Sequence, residues 1–61
     1  MDIEAIIARR KEGINHTLED SNTIKDYVKK YLANPNFGST EVFQEIEDLF
    51  PIEFGIVWGE R

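Results

Sequence analysis

Cysteine is absent from this chain of 61 residues, and that absence limits how so short a chain can hold a fold. Domains of about 60 residues have small cores and usually gain stability from disulfides, a bound metal or a partner chain. The single histidine, His16, leaves too few nitrogen and sulfur ligands for a structural zinc site. We therefore expect no metal and no cofactor, and we expect self-association or a partner protein to supply the missing stability.

The overall composition is that of a globular protein. Apolar residues make up 41% of the chain, which is enough for a core and too much for a disordered segment. No apolar run approaches the roughly 20 residues of a membrane-spanning helix. Asp2 and Glu4 stand where a secretory signal would carry positive charge. The sequence predicts one domain over residues 1–61, located in the cytoplasm and not in a membrane.

Three segments carry apolar residues at the three- and four-residue spacing of an amphipathic helix. Ser39 or Thr40 would cap the third of them, and Pro51 would end it. The sequence therefore predicts an all-α domain with three short helices at about 2–19, 23–33 and 40–50.

Gly13 lies inside the first of these segments, where it either interrupts a long helix or ends a short one. We favour the long helix, because Ile14 and Leu18 keep the helical phase of Ile3 and Ile7. The expected core consists of the apolar residues that face inward from the three helices: Ile3, Ile7, Ile14, Leu18, Ile24, Val28, Tyr31, Leu32, Val42, Phe43, Ile46, Leu49 and Phe50.

The residues after Pro51 follow a different pattern. Residues 52–58 alternate with a period of two, which is typical of a strand, and Gly55 and Gly59 disfavour a helix. We predict an extended β segment at 52–58. A lone strand leaves backbone groups unpaired, so this segment would pair with the same segment of a second subunit or fold back onto the helices.

The net charge of −5 arises in the C-terminal half of the chain. Three of the acids there, Glu41, Glu45 and Asp48, are spaced so that they form a stripe on the third helix. An acidic surface repels nucleic-acid phosphates and attracts basic protein surfaces. The stripe could dock on a basic protein groove, or it could imitate the phosphates of DNA.

The basic residues suggest a second interpretation. A positive face would form if the first two helices packed antiparallel, and nucleic acid could bind there, but an isoelectric point of about 4.6 lies far below the range typical of nucleic-acid-binding domains. Arg10 falls within the apolar arc of the first helix, where it would either extend its charged head to the edge of the core or act as an interface charge that pairs with Glu45 or Glu53 at a helix or subunit contact. The residues of the positive face would be Arg9, Arg10, Lys11, Lys25, Lys29 and Lys30.

Catalytic and metal-binding patterns are lacking. The sequence has no spacing typical of a Ser-His-Asp or Cys-His site or of a metal site. His16 falls opposite the apolar arc of the first helix and is expected to be solvated. We therefore expect no catalytic residue and a protein that is not an enzyme.

The combined interpretation is a small, acidic, non-catalytic regulator or inhibitor that binds a protein and forms a homodimer. The alternatives are a nucleic-acid-binding helical module, a DNA mimic, or a small accessory subunit of a larger enzyme complex. The partner would contact the C-terminal segment and the acidic third helix, at Phe54, Ile56, Val57, Trp58, Glu41, Glu45 and Asp48.

Overall fold

The computed structural model describes residues 3–59 and contains four α-helices in that range. They are α1 (Ile3–Lys11), α2 (Leu18–Ala33), α3 (Thr40–Leu49) and α4 (Pro51–Gly59). Helices α2 and α3 each pack against the other three helices, whereas α1 and α4 do not contact each other within residues 3–59. The pair α2–α3 therefore lies between α1 on one side and α4 on the other.

All four helices contribute to one apolar core. Its buried members are Ile6, Ile7, Ile24, Val28, Ile46, Phe50 and Val57. The predicted core residues Ile3, Leu32, Val42, Phe43 and Leu49 pack half-buried around it. Tyr31, also predicted in the core, is half-buried and stacks on Phe43 with ring centroids 4.3 Å apart. Most of the predicted core is therefore confirmed, and the prediction did not include two buried members, Ile6 of α1 and Val57 of α4.

The predicted first helix at 2–19 is wrong, because α1 ends at Lys11. Gly13 adopts φ +86°, a left-handed conformation that glycine reaches without strain. The N–H of Gly13 donates to the carbonyl of Arg10 at 3.0 Å, and the N–H of Ile14 donates to the carbonyl of Arg9 at 3.1 Å. This pair of bonds is the Schellman motif, which satisfies the last carbonyls of a helix.

Two predicted core residues lie outside the core as a result. Ile14 is 48% exposed and Leu18 is 76% exposed, because the chain leaves the helical phase at Gly13. Helix α2 then begins at Leu18, five residues before the predicted start. Thr17 is the N-cap of α2 and forms a capping box with Asp20. The Thr17 hydroxyl accepts a hydrogen bond from the backbone N–H of Asp20 at 3.1 Å, and the Asp20 carboxylate accepts one from the backbone N–H of Thr17 at 3.3 Å.

The third helix follows its prediction closely. Ser39 is its N-cap and accepts a hydrogen bond from the backbone N–H of Glu41 at 3.2 Å. Phe50 is its C-cap, directly before Pro51. The loop from α2 to α3 passes directly against the Tyr27 ring, so a side chain at Gly38 would collide with that ring. The backbone N–H of Ser39 in the same loop donates to the Tyr27 hydroxyl at 3.1 Å.

The predicted β segment at 52–58 is wrong, because these residues form α4. Pro51 is the first residue of that helix, a position where proline is favoured because its missing N–H has no helical partner to lose. The N–H of Phe54 donates to the carbonyl of Phe50 at 3.0 Å and starts the helical ladder. Glu53 and Val57, four residues apart, are buried, so packing against the other helices sets the conformation of this segment.

Candidate interaction surfaces and buried carboxylates

A groove of about 300 Å³ lies between α1 and α3. Apolar side chains and carboxylates line the groove, and each helix contributes both kinds. Three carboxylates and one ammonium group line the groove, so its local charge is negative. The lining residues are Glu4, Ile7, Ala8, Lys11, Glu41, Val42 and Glu45.

An ion pair crosses this groove. The Lys11 ammonium lies 2.7 Å from the Glu45 carboxylate, and both side chains are substantially exposed. Exposed pairs of this kind contribute about 0–1 kcal/mol, so breaking the Lys11–Glu45 pair would cost the fold little stability. The predicted pairing of Arg10 with Glu45 or Glu53 is not seen, because Glu45 bonds Lys11 and Glu53 bonds His16 and Ser21.

The predicted acidic stripe on α3 divides between two environments. Glu41 and Glu45 line the groove, whereas Asp48 is exposed and does not line it. Glu47 projects from the opposite side of α3, by the 100° turn per residue of a helix. Glu4 completes the groove from α1, and sequence spacing alone could not connect it with acids on another helix.

The C-terminal residues predicted to contact a partner also divide. Val57 is buried in the core, and Phe54 packs half-buried with its ring centroid 5.2 Å from that of Phe43. Ile56 and Trp58 are 46% and 45% exposed. A partner could therefore reach Ile56 and Trp58 without any rearrangement of α4, but could not reach Val57.

Asp20 is a buried carboxylate at the junction of α1 and α2. Its oxygens accept from the Arg9 guanidinium at 3.1 and 3.2 Å. The hydrogen bond from the backbone N–H of Thr17 is the largest cause that lowers the pKa of Asp20 below its ordinary value. The Arg9 guanidinium lowers that pKa further, whereas burial of the carboxylate acts in the opposite direction. This pair fixes the end of α1 on the start of α2.

Glu53 is the second buried carboxylate, and it joins α4 to α2 and to the loop before α2. One of its oxygens accepts from the Ser21 hydroxyl at 2.8 Å and from His16 Nε2 at 2.9 Å. Burial alone raises the pKa of Glu53, but the bonds from Ser21, from its own backbone and from His16 together lower it below its ordinary value.

The expectation of a solvated His16 is wrong. The imidazole bonds Glu53 and lies edge-on to the Phe50 ring, with centroids 4.9 Å apart. In a nucleophilic triad the histidine accepts a proton from the serine and the carboxylate orients the histidine. Here His16 and Ser21 both donate to one oxygen of Glu53, so this cluster holds α4 in place and does not activate the serine.

Acid is expected to destabilise the protein through these two carboxylates. Their folded pKa values lie below the ordinary values of 3.8 for Asp20 and 4.5 for Glu53. The contribution of the two carboxylates to the free energy of unfolding is therefore complete when the pH is above those ordinary pKa values. It is lost as the pH falls through their pKa values in the folded protein. Urea denaturation from about pH 6 to about pH 2 should show this decline, and the Glu53→Gln variant should show a shallower one. If wild type and Glu53→Gln lost stability identically with falling pH, Glu53 would not be one of the groups responsible.

The basic residues of the alternative interpretation are partly neutralised. Arg9 bonds Asp20, Lys11 bonds Glu45, and Lys30 lies 3.0 Å from Asp26. Each pair places a carboxylate beside a cation, which lowers the positive potential available to a phosphate backbone. This arrangement gives little support to nucleic-acid binding.

No helix within residues 3–59 has both the length and the hydrophobicity needed to span a bilayer. The same residues contain no group of three or more histidine, aspartate or glutamate side chains placed to hold a metal ion. The chain matched no family model, no curated protein and no solved structure.

Proposed function

We propose that this protein is a non-catalytic binding module that receives a basic segment of another protein in the groove between α1 and α3. The observation that carries the proposal is the composition of that groove. Apolar side chains and carboxylates from both helices line the same space of about 300 Å³.

Lysine and arginine side chains suit such a groove because each has an apolar stem and a cationic head. The stem would cover Ile7, Ala8 and Val42, and the head would reach the carboxylates of Glu41 and Glu45. The Lys11–Glu45 contact of 2.7 Å is an internal example of the same chemistry. A partner's cation would take the place of Lys11 at Glu45.

Binding of this kind favours a regulatory role. A small acidic domain can cover a basic patch on a larger protein and block access to it, and opposite charges accelerate the encounter. The net charge of −5 on 61 residues supports such steering. The proposed action is therefore occupancy of a partner surface, with no chemical step.

The proposal can be tested by selecting binders from a displayed library of random short peptides on the immobilised protein. Lysine- and arginine-rich sequences should be enriched, and a labelled peptide from that set should bind in fluorescence anisotropy. The double variant Glu41→Gln/Glu45→Gln should weaken binding by about tenfold or more, because it removes both carboxylates that α3 contributes to the groove.

The variant Glu47→Gln provides the matched control for this experiment. It removes the same charge from the same helix, but on the side away from the groove. Affinity close to wild type for this variant would support a specific groove. An equal loss for Glu47→Gln and for the single variant Glu45→Gln would show diffuse charge attraction and would contradict the proposal.

Removing the internal competitor should strengthen binding. The Lys11→Met variant keeps the apolar stem but frees Glu45 and makes the groove more negative. We expect the dissociation constant for the same basic peptide to fall by roughly two- to fivefold, the equivalent of one exposed ion pair. Weaker binding by Lys11→Met would show that Lys11 itself contacts the peptide and does not compete with it.

A further inference from the structure

The groove between α1 and α3 follows one face of each helix. Its α1 residues are spaced three and four apart along the chain, so they share one face of that helix. The first and last of them are seven residues apart, which is about 10 Å, or roughly two turns, along the helix axis. These residues are Glu4, Ile7, Ala8 and Lys11.

The floor of the groove is apolar, and its rim on the α3 side is acidic. Ile7 is buried and Val42 is half-buried, so these two side chains form the floor. Glu41 is exposed and the Glu45 side chain is 40% exposed, so their carboxylates lie at the rim. An occupant therefore meets a row of two carboxylates beside a strip of apolar surface.

We propose that the basic segment received by this groove is an amphipathic helix that carries two basic residues four positions apart. This proposal rests on the proposed function and adds the conformation and the residue spacing of the partner. The two basic residues would face Glu41 and Glu45. Apolar residues three positions after each basic residue would cover Ile7 and Val42 on the floor.

The backbone of the occupant favours a helix over an extended peptide. Residues 3–59 contain no strand, so no sheet edge is present there to pair with an extended peptide. An extended segment laid over Ile7 and Val42 would bury backbone N–H and C=O groups against apolar side chains, and such groups need hydrogen-bond partners. A helix bonds its backbone groups internally, so it would bury only side chains in the groove.

The spacing of the rim carboxylates matches the spacing of side chains on a helix. Glu41 and Glu45 lie four positions apart, which is about 6 Å along the axis of α3. Two basic residues four positions apart on a partner helix have the same separation and share one face. The residues three positions after them form a neighbouring row on that face. One helix can therefore present cations to the rim and apolar side chains to the floor together.

Two synthetic peptides of identical composition test the conformation by fluorescence anisotropy on the full chain. The first carries lysine at i and i+4 and leucine at i+3 and i+7, in a helix-forming background of alanine and glutamine. The second places the lysines at i and i+2, which lie about 200° apart on a helix but on one face of an extended chain. The first peptide should bind at least about tenfold more tightly, because a helical second peptide directs one lysine away from the groove.

A proline substituted in the middle of the first peptide is the matched control for conformation. It keeps both lysines and both leucines but breaks the helix, so the advantage over the second peptide should be lost. Equal binding by the two unmodified peptides, or tighter binding by the second, would overturn the helical partner and leave the proposed function standing. Absence of binding by every peptide would overturn the proposed function together with the helical partner.

Double-mutant cycles test the register of the helix in the groove. Each lysine of the first peptide is replaced by glutamine in turn and measured against Glu41→Gln and against Glu45→Gln. Each lysine should couple to one of the two glutamates by about two- to fivefold in dissociation constant and not to the other, because a helix holds the lysines one turn apart. Equal coupling of both lysines to both glutamates would overturn the proposed register and, with it, the helical partner.

Discussion

Replacing Phe50 with alanine is expected to unfold the protein at room temperature. Phe50 is 1% exposed and is the largest fully buried side chain among the described residues. Its truncation removes apolar burial and leaves a cavity, which together cost about 3–5 kcal/mol in protein cores. A core of this size supplies only about 3–5 kcal/mol in total. Circular dichroism should show the loss of helix.

Leu18→Ala is the matched control for that substitution. It also shortens a large apolar side chain, but one that is 76% exposed. Its free energy of unfolding should stay within about 0.5 kcal/mol of wild type, as for most surface substitutions. A Phe50→Ala protein with wild-type helix content and wild-type resistance to urea would show that Phe50 does not lie in the core.

Glu53→Ala should give the second largest loss of stability, although it removes a charged residue and not an apolar one. The substitution takes away the acceptor for the Ser21 hydroxyl and for His16, and it leaves both polar groups facing a partly buried space. Loss of charged hydrogen bonds of this kind costs about 2–3 kcal/mol. Urea denaturation should show the loss as a lower midpoint.

Glu47→Ala controls for the removal of a glutamate from a helix. Glu47 is exposed on α3, so its substitution should change the free energy of unfolding by no more than about 0.5 kcal/mol. The loss in free energy of unfolding for Ser21→Ala should lie between the losses for Glu53→Ala and Glu47→Ala, since Ser21→Ala removes one of the hydrogen bonds to Glu53. Equal midpoints for Glu53→Ala and Glu47→Ala would contradict the role of Glu53 in holding α4.

Local signals predicted the fold where they agreed with one another. Helix α3 has a capping serine, a regular apolar stripe and a terminating proline, and all three signals indicate the same boundaries. At the end of α1 two signals conflicted. Gly13 indicated an end, whereas the phase of Ile14 indicated continuation, and the structure follows the glycine because its left-handed conformation completes the helix cap.

The fourth helix could not be predicted from the local pattern. Seven residues that alternate with period two also place Glu53 and Val57 four apart, so the same residues fit a helix with one buried face. The choice depends on α2 and α3, which supply partners for Glu53 and a core for Val57. The segment's glycines disfavour a helix, and packing outweighs that preference.

The candidate site was partly predictable for a similar reason. Glu41 and Glu45 lie on one helix, so their spacing alone predicts a shared face. Glu4 and Lys11 reach the groove from α1, and only tertiary packing brings them together with α3. The structural role of His16 could not be predicted either, because it depends on Glu53, which is 37 positions away in the chain.

Nuclear magnetic resonance offers the most direct test of the proposed binding groove. A selected lysine- or arginine-rich peptide would be titrated into isotope-labelled protein while backbone amide shifts are recorded. The largest changes should fall on α1 and α3 around Ile7, Ala8, Val42 and Glu45, with α4 nearly unaffected. Changes centred on α4, or spread evenly over every exposed acid, would contradict binding in the groove.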